Sequence, residues 1–172
     1  TFSNNFEKSY FQFLARTQNG QITSGISTSW SDAKLKALAE GYERQQSMKV
    51  FHDVVSSASD LPSPWLDPRV IAPLTDEQYD QLSHLQKFDE KSKIEWVRGK
   101  DWQDREVFVP IDLVFYPIKN LDRKLVVDTC SSGFATYTDI SEATRRGMLE
   151  IVERDTMMRH WYEGVSPRKL DY

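Results

Sequence analysis

SDAKLKALAEGYER (residues 31–44) and SEATRRGMLEIVER (residues 141–154) are two copies of one pattern, aligned without a gap at an offset of 110 residues. Ser, Ala, Glu, Glu and Arg are identical at matched positions, and Asp32/Glu142, Lys36/Arg146 and Leu38/Met148 are near matches. A Ser-Gly pair precedes each copy, Ser24-Gly25 and Ser132-Gly133, with a loop two residues longer before the second. At about 100° per residue along a helix, Asp32, Glu40 and Glu43 fall within an arc of roughly 80°, as do Glu142, Glu150 and Glu153. Leu38 and Tyr42, like Met148 and Val152, point the other way. The repeat therefore predicts two helices, each with an acidic stripe opposite an apolar side. The expected core is Leu35, Leu38, Tyr42, Met148, Ile151 and Val152, packed on strands within 107–116 and 124–128.

One Glu/Arg stripe is ordinarily a solvated helix face. Two copies, each behind a Ser-Gly loop, point further. If both stripes face one cleft, four to six carboxylates converge, and such a group repels itself unless a cation holds it together. Mg²⁺ suits this arrangement, because it takes hard oxygen ligands and is usually shared between one or two carboxylates and phosphates. Arg44 and Arg154 are then available for phosphate oxygens or for orienting the carboxylates. At least one carboxyl pKa is expected to be raised by its like-charged neighbours. A carboxylate-bridged di-iron site needs Glu-x-x-His pairs. Here the third position after Glu40 and after Glu150 is Glu, and His52, His84 and His160 stand at no such spacing.

Outward from the repeat, strand and helix signals alternate irregularly, which predicts an α+β fold with a mixed sheet. Residues 10–17 and the QITSGIST stretch read as a hairpin about Asn19-Gly20. Ser29 or Ser31 caps a helix from about residue 32 into the 50–55 region. Pro62, Pro64, Pro68 and Pro73 make 59–74 a loop. A short helix follows Thr75. Strands are expected at 94–99, 105–110 and 124–129, with 111–117 a buried strand or connector. A long helix is expected from about residue 140 to 163, ended by Gly164 and Pro167.

The 172 residues, 39% hydrophobic and with five Trp, suffice for a packed core and exclude disorder over most of the length. A net charge of −4 without a basic tail gives no reason to invoke nucleic acid. No apolar run approaches the roughly 18 residues of a membrane span. The single cysteine, Cys130, excludes an intramolecular disulfide framework and fits a reducing cytoplasm. Cys130 is expected to be buried and structural. His160, Trp161 and Tyr162 read as helix packing, and Trp65, Trp96 and Trp102 as plugs at the edge of the core.

The two motifs, ALAEGYERQ (37–45) and SSGFATYTDISEATRRGMLEIVERD (131–155), together with VPIDLVFYP (109–117) between them, resemble the YcaO family. The resemblance runs from about residue 20 to 163. It implies a single partial YcaO-like domain over residues 1–172, the N-terminal half of a larger fold whose C-terminal half lies outside this sequence. It implies ATP and Mg²⁺ as cofactors and ATP-dependent activation of a peptide-backbone amide. A nucleophile adds to the amide, the oxyanion is phosphorylated and phosphate leaves, giving an azoline, a thioamide or an amidine. Glu40, Glu43, Glu150 and Glu153 match the family's Mg²⁺-binding glutamates. Glu142 matches a further acidic position of the nucleotide site, Arg154 an Arg of that site, and Ser131 and Ser132 the motif's Ser-Asn. The implied partners are a substrate peptide or protein, a leader-binding or sulfur-delivery protein, and a second copy in a homodimer. The sequence departs from the family at three places. Ser24-Gly25-Ile26-Ser27 stands for Gly-Lys-Gly, Lys36 for a Ser, and Gln45 for an aromatic. A non-catalytic accessory protein on the same scaffold is the alternative, and a scaffold with solvated acidic helices and no nucleotide is the third reading.

Overall fold

The computed structural model describes residues 10–62, 64–119 and 121–166. In chain order its elements are β1 (Phe11–Arg16), β2 (Ile22–Ser27), α1 (Trp30–Ser47), β3 (Val54–Ser56), α2 (Pro68–Ile71), α3 (Asp76–Gln81), β4 (Ile94–Lys100), β5 (Glu106–Pro110) and α4 (Ile140–Glu163). The described residues up to Gln45 with those from Ser131 onward form one compact unit, and those of Gln46–Cys130 form a second. The class is α+β, as expected. The expected mixed sheet is instead two antiparallel sheets, β1-β2 and β3-β4-β5. Parallel pairing among the described residues is confined to isolated bridges, Trp65 with Phe108 and Leu85 with Leu125.

In the first unit β1 and β2 pair from Phe11↔Ser27 to Arg16↔Ile22. Their connection spans residues 17–21, with the Gly20 N–H donating to the Thr17 carbonyl at 3.0 Å. Gly20 takes φ +82°, which glycine adopts without steric cost. α4 begins where the Asp139 carboxylate accepts the Glu142 N–H at 2.9 Å and ends at Gly164 in the left-handed region. Pro167, expected as a further stop, lies outside the described residues. His160, expected to pack, instead reaches the Val165 carbonyl from an exposed position at the helix end, and Trp161 and Tyr162 are exposed beside it.

The second unit holds the larger apolar core. Alternation along β4 sends Ile94 and Trp96 to one face and Val97 to the other. The first face packs with Ala58, Phe88, Phe108, Val126 and Val127. Val97 packs with Ile111 and Phe115. Trp96 is fully buried, and its indole N–H donates to the Ser56 carbonyl at 2.9 Å. Trp102, expected at the core edge, is exposed in the β4–β5 turn, and Cys130, expected to be buried, is exposed as well.

Two other departures have local causes. α1 stops at Ser47 rather than running to 50–55, because Val54 and Val55 join β3 and pair with Trp96 and Glu95. Residues 124–129 do not form a ladder strand. The Val126 N–H is taken by the Asp112 carboxylate at 2.7 Å, so a side chain occupies the place of a strand partner. Asp112 is buried, and the Arg123 guanidinium grips both its oxygens at 3.0 and 2.9 Å while donating to Glu95 at 2.6 Å.

Candidate functional site

In the first unit the repeat builds the same corner twice. Gly25 of β2 lies so close to α1 that a Cβ there would meet the Ala33 carbonyl oxygen at 2.0 Å and the Ala37 nitrogen at 2.6 Å. The neighbouring Thr23 hydroxyl donates to the Ala37 carbonyl at 2.8 Å, and the Ser24 N–H donates to Glu40 Oε2 at 3.0 Å. In the second copy a Cβ on Gly147 would lie 2.4 Å from the Gly133 carbonyl oxygen, and the Gly133 N–H donates to Glu150 Oε2 at 3.1 Å. Ala37 and Gly147 occupy one repeat position, and Glu40 and Glu150 another. Each helix thus presents a small residue that lets the Ser-Gly segment approach. One turn on, it presents a glutamate that accepts an amide from that segment.

This contact overturns the expected core. Leu35, Leu38, Tyr42, Met148, Ile151 and Val152 are all exposed, Leu35 by 67% and Met148 by 61%. The residues buried from these helices are small: Ala33, Ala37, Gly41, Ser47 and Gly147. The acidic stripe does lie opposite the apolar one. On the acidic stripe Glu40, Glu43, Glu142 and Glu150 are partly buried beside these small residues, while Asp32 and Glu153 stay exposed.

The carboxylates fall into two adjoining places. Lys36, Glu40 and Glu43 of α1 line an open cleft of about 240 Å³ with Thr136 of the loop and Arg146 of α4. Ser132, Glu150, Glu153 and Arg154, with Met157 and Met158, line another of about 450 Å³. Glu43, with 17% of its side chain exposed, links them electrostatically. Burial raises its carboxyl pKa; Arg44 opposes that shift, and Glu150 and Glu40 add to it. The expected rise is therefore present, with desolvation its largest cause and like charge from both repeats contributing. Arg44 lies 3.6 Å from Glu40 and 3.9 Å from Glu43, and Arg154 lies 2.8 Å from Glu150. Glu142 is held by Arg145 and Arg146, each at 2.8 Å, which lowers its pKa to about 2. Ser131 lines neither cleft; its carbonyl accepts the Phe134 N–H in the turn that presents Ser132 and Gly133.

The expected convergence of four to six carboxylates is not reached. Among the described residues, no three His, Cys, Asp or Glu side chains surround a common point suited to a metal. Glu40 and Glu150 are turned partly toward backbone amides and arginines, which spreads the acidic groups along two helices. The donor set fits an ion that takes one or two carboxylates and completes its shell with phosphate and water. The half-buried negative charge of Glu43 fits a nearby cation in the same way. In the sequence Lys36 is marked as a departure from the family's Ser and by its near match to Arg146 in the repeat, and Arg146 by that match alone. That match was the signal that both would line the same cleft.

The raised pKa of Glu43 gives a prediction with a definite sign. The folded state binds this proton more tightly than the unfolded state, so Glu43 costs stability as pH rises above about 4.5 through its folded value. Glu43→Gln is expected to raise the melting temperature of the ligand-free protein at pH 7. The gain should shrink as pH falls through the folded pKa and vanish below the unfolded value of 4.5, as the wild-type carboxyl takes up its proton. Thermal melts across that range check this, and a gain independent of pH would contradict it.

A family model described as YcaO cyclodehydratase, ATP- and Mg²⁺-binding, matches residues 24–172. The structure is similar to that of YcaO from Methanopyrus kandleri bound with AMPPCP and Mg²⁺, at a TM-score of 0.71 and 22% identity over 99% of this chain and 41% of that one. It is also similar to a heterocyclase in complex with substrate and cofactor, at a TM-score of 0.78 and 21% identity over 94% of this chain and 25% of that one. For the heterocyclase TruD the TM-score is 0.69 and the identity 22%, over 84% of this chain and 23% of that one. The chain thus spans less than half the length of each of these three structures. No curated protein matches the sequence. Among the described residues no helix is long and apolar enough to cross a membrane.

Proposed function

Because the chain belongs to the YcaO family, we propose that it takes part in Mg²⁺- and ATP-dependent activation of a peptide-backbone amide, leading to an azoline by cyclodehydration or to a thioamide. In this reading it is part of one YcaO-like domain that modifies peptides after translation in the cytoplasm. The observation that carries the reading is Glu43, a half-buried carboxyl raised in pKa by burial and by glutamates from both copies of the repeat. Glu40, Glu43, Glu150 and Glu153 would hold Mg²⁺, which when bound neutralises charge on the phosphates of ATP. Arg154 and Ser132 line the cleft beside Glu150 and Glu153 and would bind phosphate or ribose oxygens, with Ser131 shaping that loop. Glu142 would act on the nucleotide site by orienting Arg145 and Arg146, the two guanidiniums it holds. The substrate is a peptide or protein. A leader-binding or sulfur-delivery protein, and a second copy of the chain, are the further partners of this reading.

One observation favours the alternative of a non-catalytic accessory protein. Glu40 and Glu150 already serve the fold, each accepting a backbone amide and facing an arginine, so selection for the scaffold alone would retain them. ADP release by the full-length protein separates the two. The enzyme releases ADP in a manner that depends on a Cys-, Ser- or Thr-containing peptide, or on a peptide with sulfide. An accessory protein binds peptide without consuming ATP.

A further inference from the structure

Lys36 and Arg146 stand 110 residues apart, at one position of the repeat, and line the same cleft from α1 and α4. Each lies four residues before a glutamate of its own helix, Glu40 or Glu150, a spacing that ordinarily forms an ion pair. Those glutamates turn the other way, toward Arg44 and Arg154 and toward the backbone amides of Ser24 and Gly133. The Lys36 ammonium instead donates to the Ile26 carbonyl at 3.0 Å, a neutral acceptor that leaves its charge uncompensated. Arg146 shares the one carboxylate of Glu142 with Arg145 and lies over the Tyr137 ring at 4.6 Å, so that cluster retains net positive charge. The cleft is therefore lined by cationic groups from both helices together with Glu40 and Glu43 of α1.

Such a mixed lining matches a ligand that carries both a metal ion and bare anionic oxygens. We propose that Lys36 and Arg146 form a clamp, one cation from each copy of the repeat, on the terminal phosphates of the nucleotide whose metal the glutamates hold. Lysine supplies a compact charge with three donors, and arginine a planar fork that spans two oxygens. This assignment rests on the nucleotide reading above and adds the groups that recognise phosphate number.

Titration calorimetry with ATP, ADP and AMP in the presence of Mg²⁺ tests it on the full-length protein and its Lys36→Gln, Arg146→Gln and Lys36→Arg variants. Both residues are exposed, and Arg145 continues to pair with Glu142 when Arg146 is replaced. Each Gln variant is expected to lose about tenfold in ATP affinity while AMP affinity stays within twofold. Lys36→Arg should retain most of the ATP affinity, and the loss in the Gln variants should shrink at high salt as screening sets in. Wild-type binding of ATP with both Gln variants unchanged would overturn the clamp and leave the nucleotide site standing. Equal loss of ATP and AMP would assign Lys36 the lesser task of stapling the hairpin to α1. A wild-type protein that binds none of the three would overturn the clamp together with the nucleotide reading.

Discussion

Glu150→Gln and Glu153→Gln are each expected to lower peptide-dependent ADP release by the full-length protein about a hundredfold or more, the scale of removing one preorganised group that stabilises charge in a transition state. The fold should tolerate both changes. Glu153 is exposed and carries no structural tie comparable to that of Glu150, so its replacement should stay within about 0.5 kcal/mol in stability. Gln at 150 retains an acceptor for the Gly133 N–H and forfeits the ion pair with Arg154, whose side chain is 52% exposed. Such exposed pairs contribute at most about 1 kcal/mol. Activity and melting temperature measured on the same variants separate the two effects. Unchanged turnover in both would reduce the stripe to a solvated helix face.

Asp112→Ala is expected to destabilise the second unit by about 3–5 kcal/mol, the cost of removing one partner from a buried ion pair. The buried carboxylate accepts from both terminal guanidinium nitrogens of Arg123 and from the backbone amide of Val126, and so binds residues 111–113 to the segment carrying Val126 and Val127. Its loss leaves Arg123, 14% exposed, with Glu95 as its remaining carboxylate partner, and leaves the Val126 amide without this acceptor. Chemical denaturation of wild type and variant measures the difference. A change under about 1 kcal/mol would show that the segment is held by apolar packing alone.

The difference between what the sequence revealed and what it concealed lies in how each signal is encoded. The 110-residue repeat was legible because both copies are continuous helical segments. The extents of α4 and of β4 and β5 followed from capping, turn and alternation signals close in sequence. The capping box about Thr75 and Gln78 is a local signal of the same kind. The face on which α1 and α4 pack was not legible. Apolar periodicity marks Leu35, Leu38 and Tyr42, whereas the contact is made by Ala33, Ala37 and Gly147, whose importance comes from backbone proximity to Gly25 and Gly133. The 124–129 segment failed for a related reason. Its Val-rich composition reads as strand, and only the fold brings Asp112, distant in sequence, to the Val126 amide. Glu40, Glu43, Glu142, Glu150, Glu153 and Arg154 fall on the two helices the repeat predicts, and the convergence of the carboxylates is looser than expected because Glu40 and Glu150 also serve the structure.

If the duplicated Glu-x-x-Glu-Arg helices make a metal-dependent nucleotide site, as proposed, ATP binding depends on Mg²⁺. Titration of ATP into the full-length protein, with Mg²⁺ and again in excess chelator, tests it most directly. Saturable binding with Mg²⁺ that weakens at least about tenfold on chelation, and is lost in a Glu43→Gln, Glu153→Gln double variant that still melts cooperatively, is the predicted result. Binding of equal strength with and without Mg²⁺, or undiminished in that double variant, would contradict it.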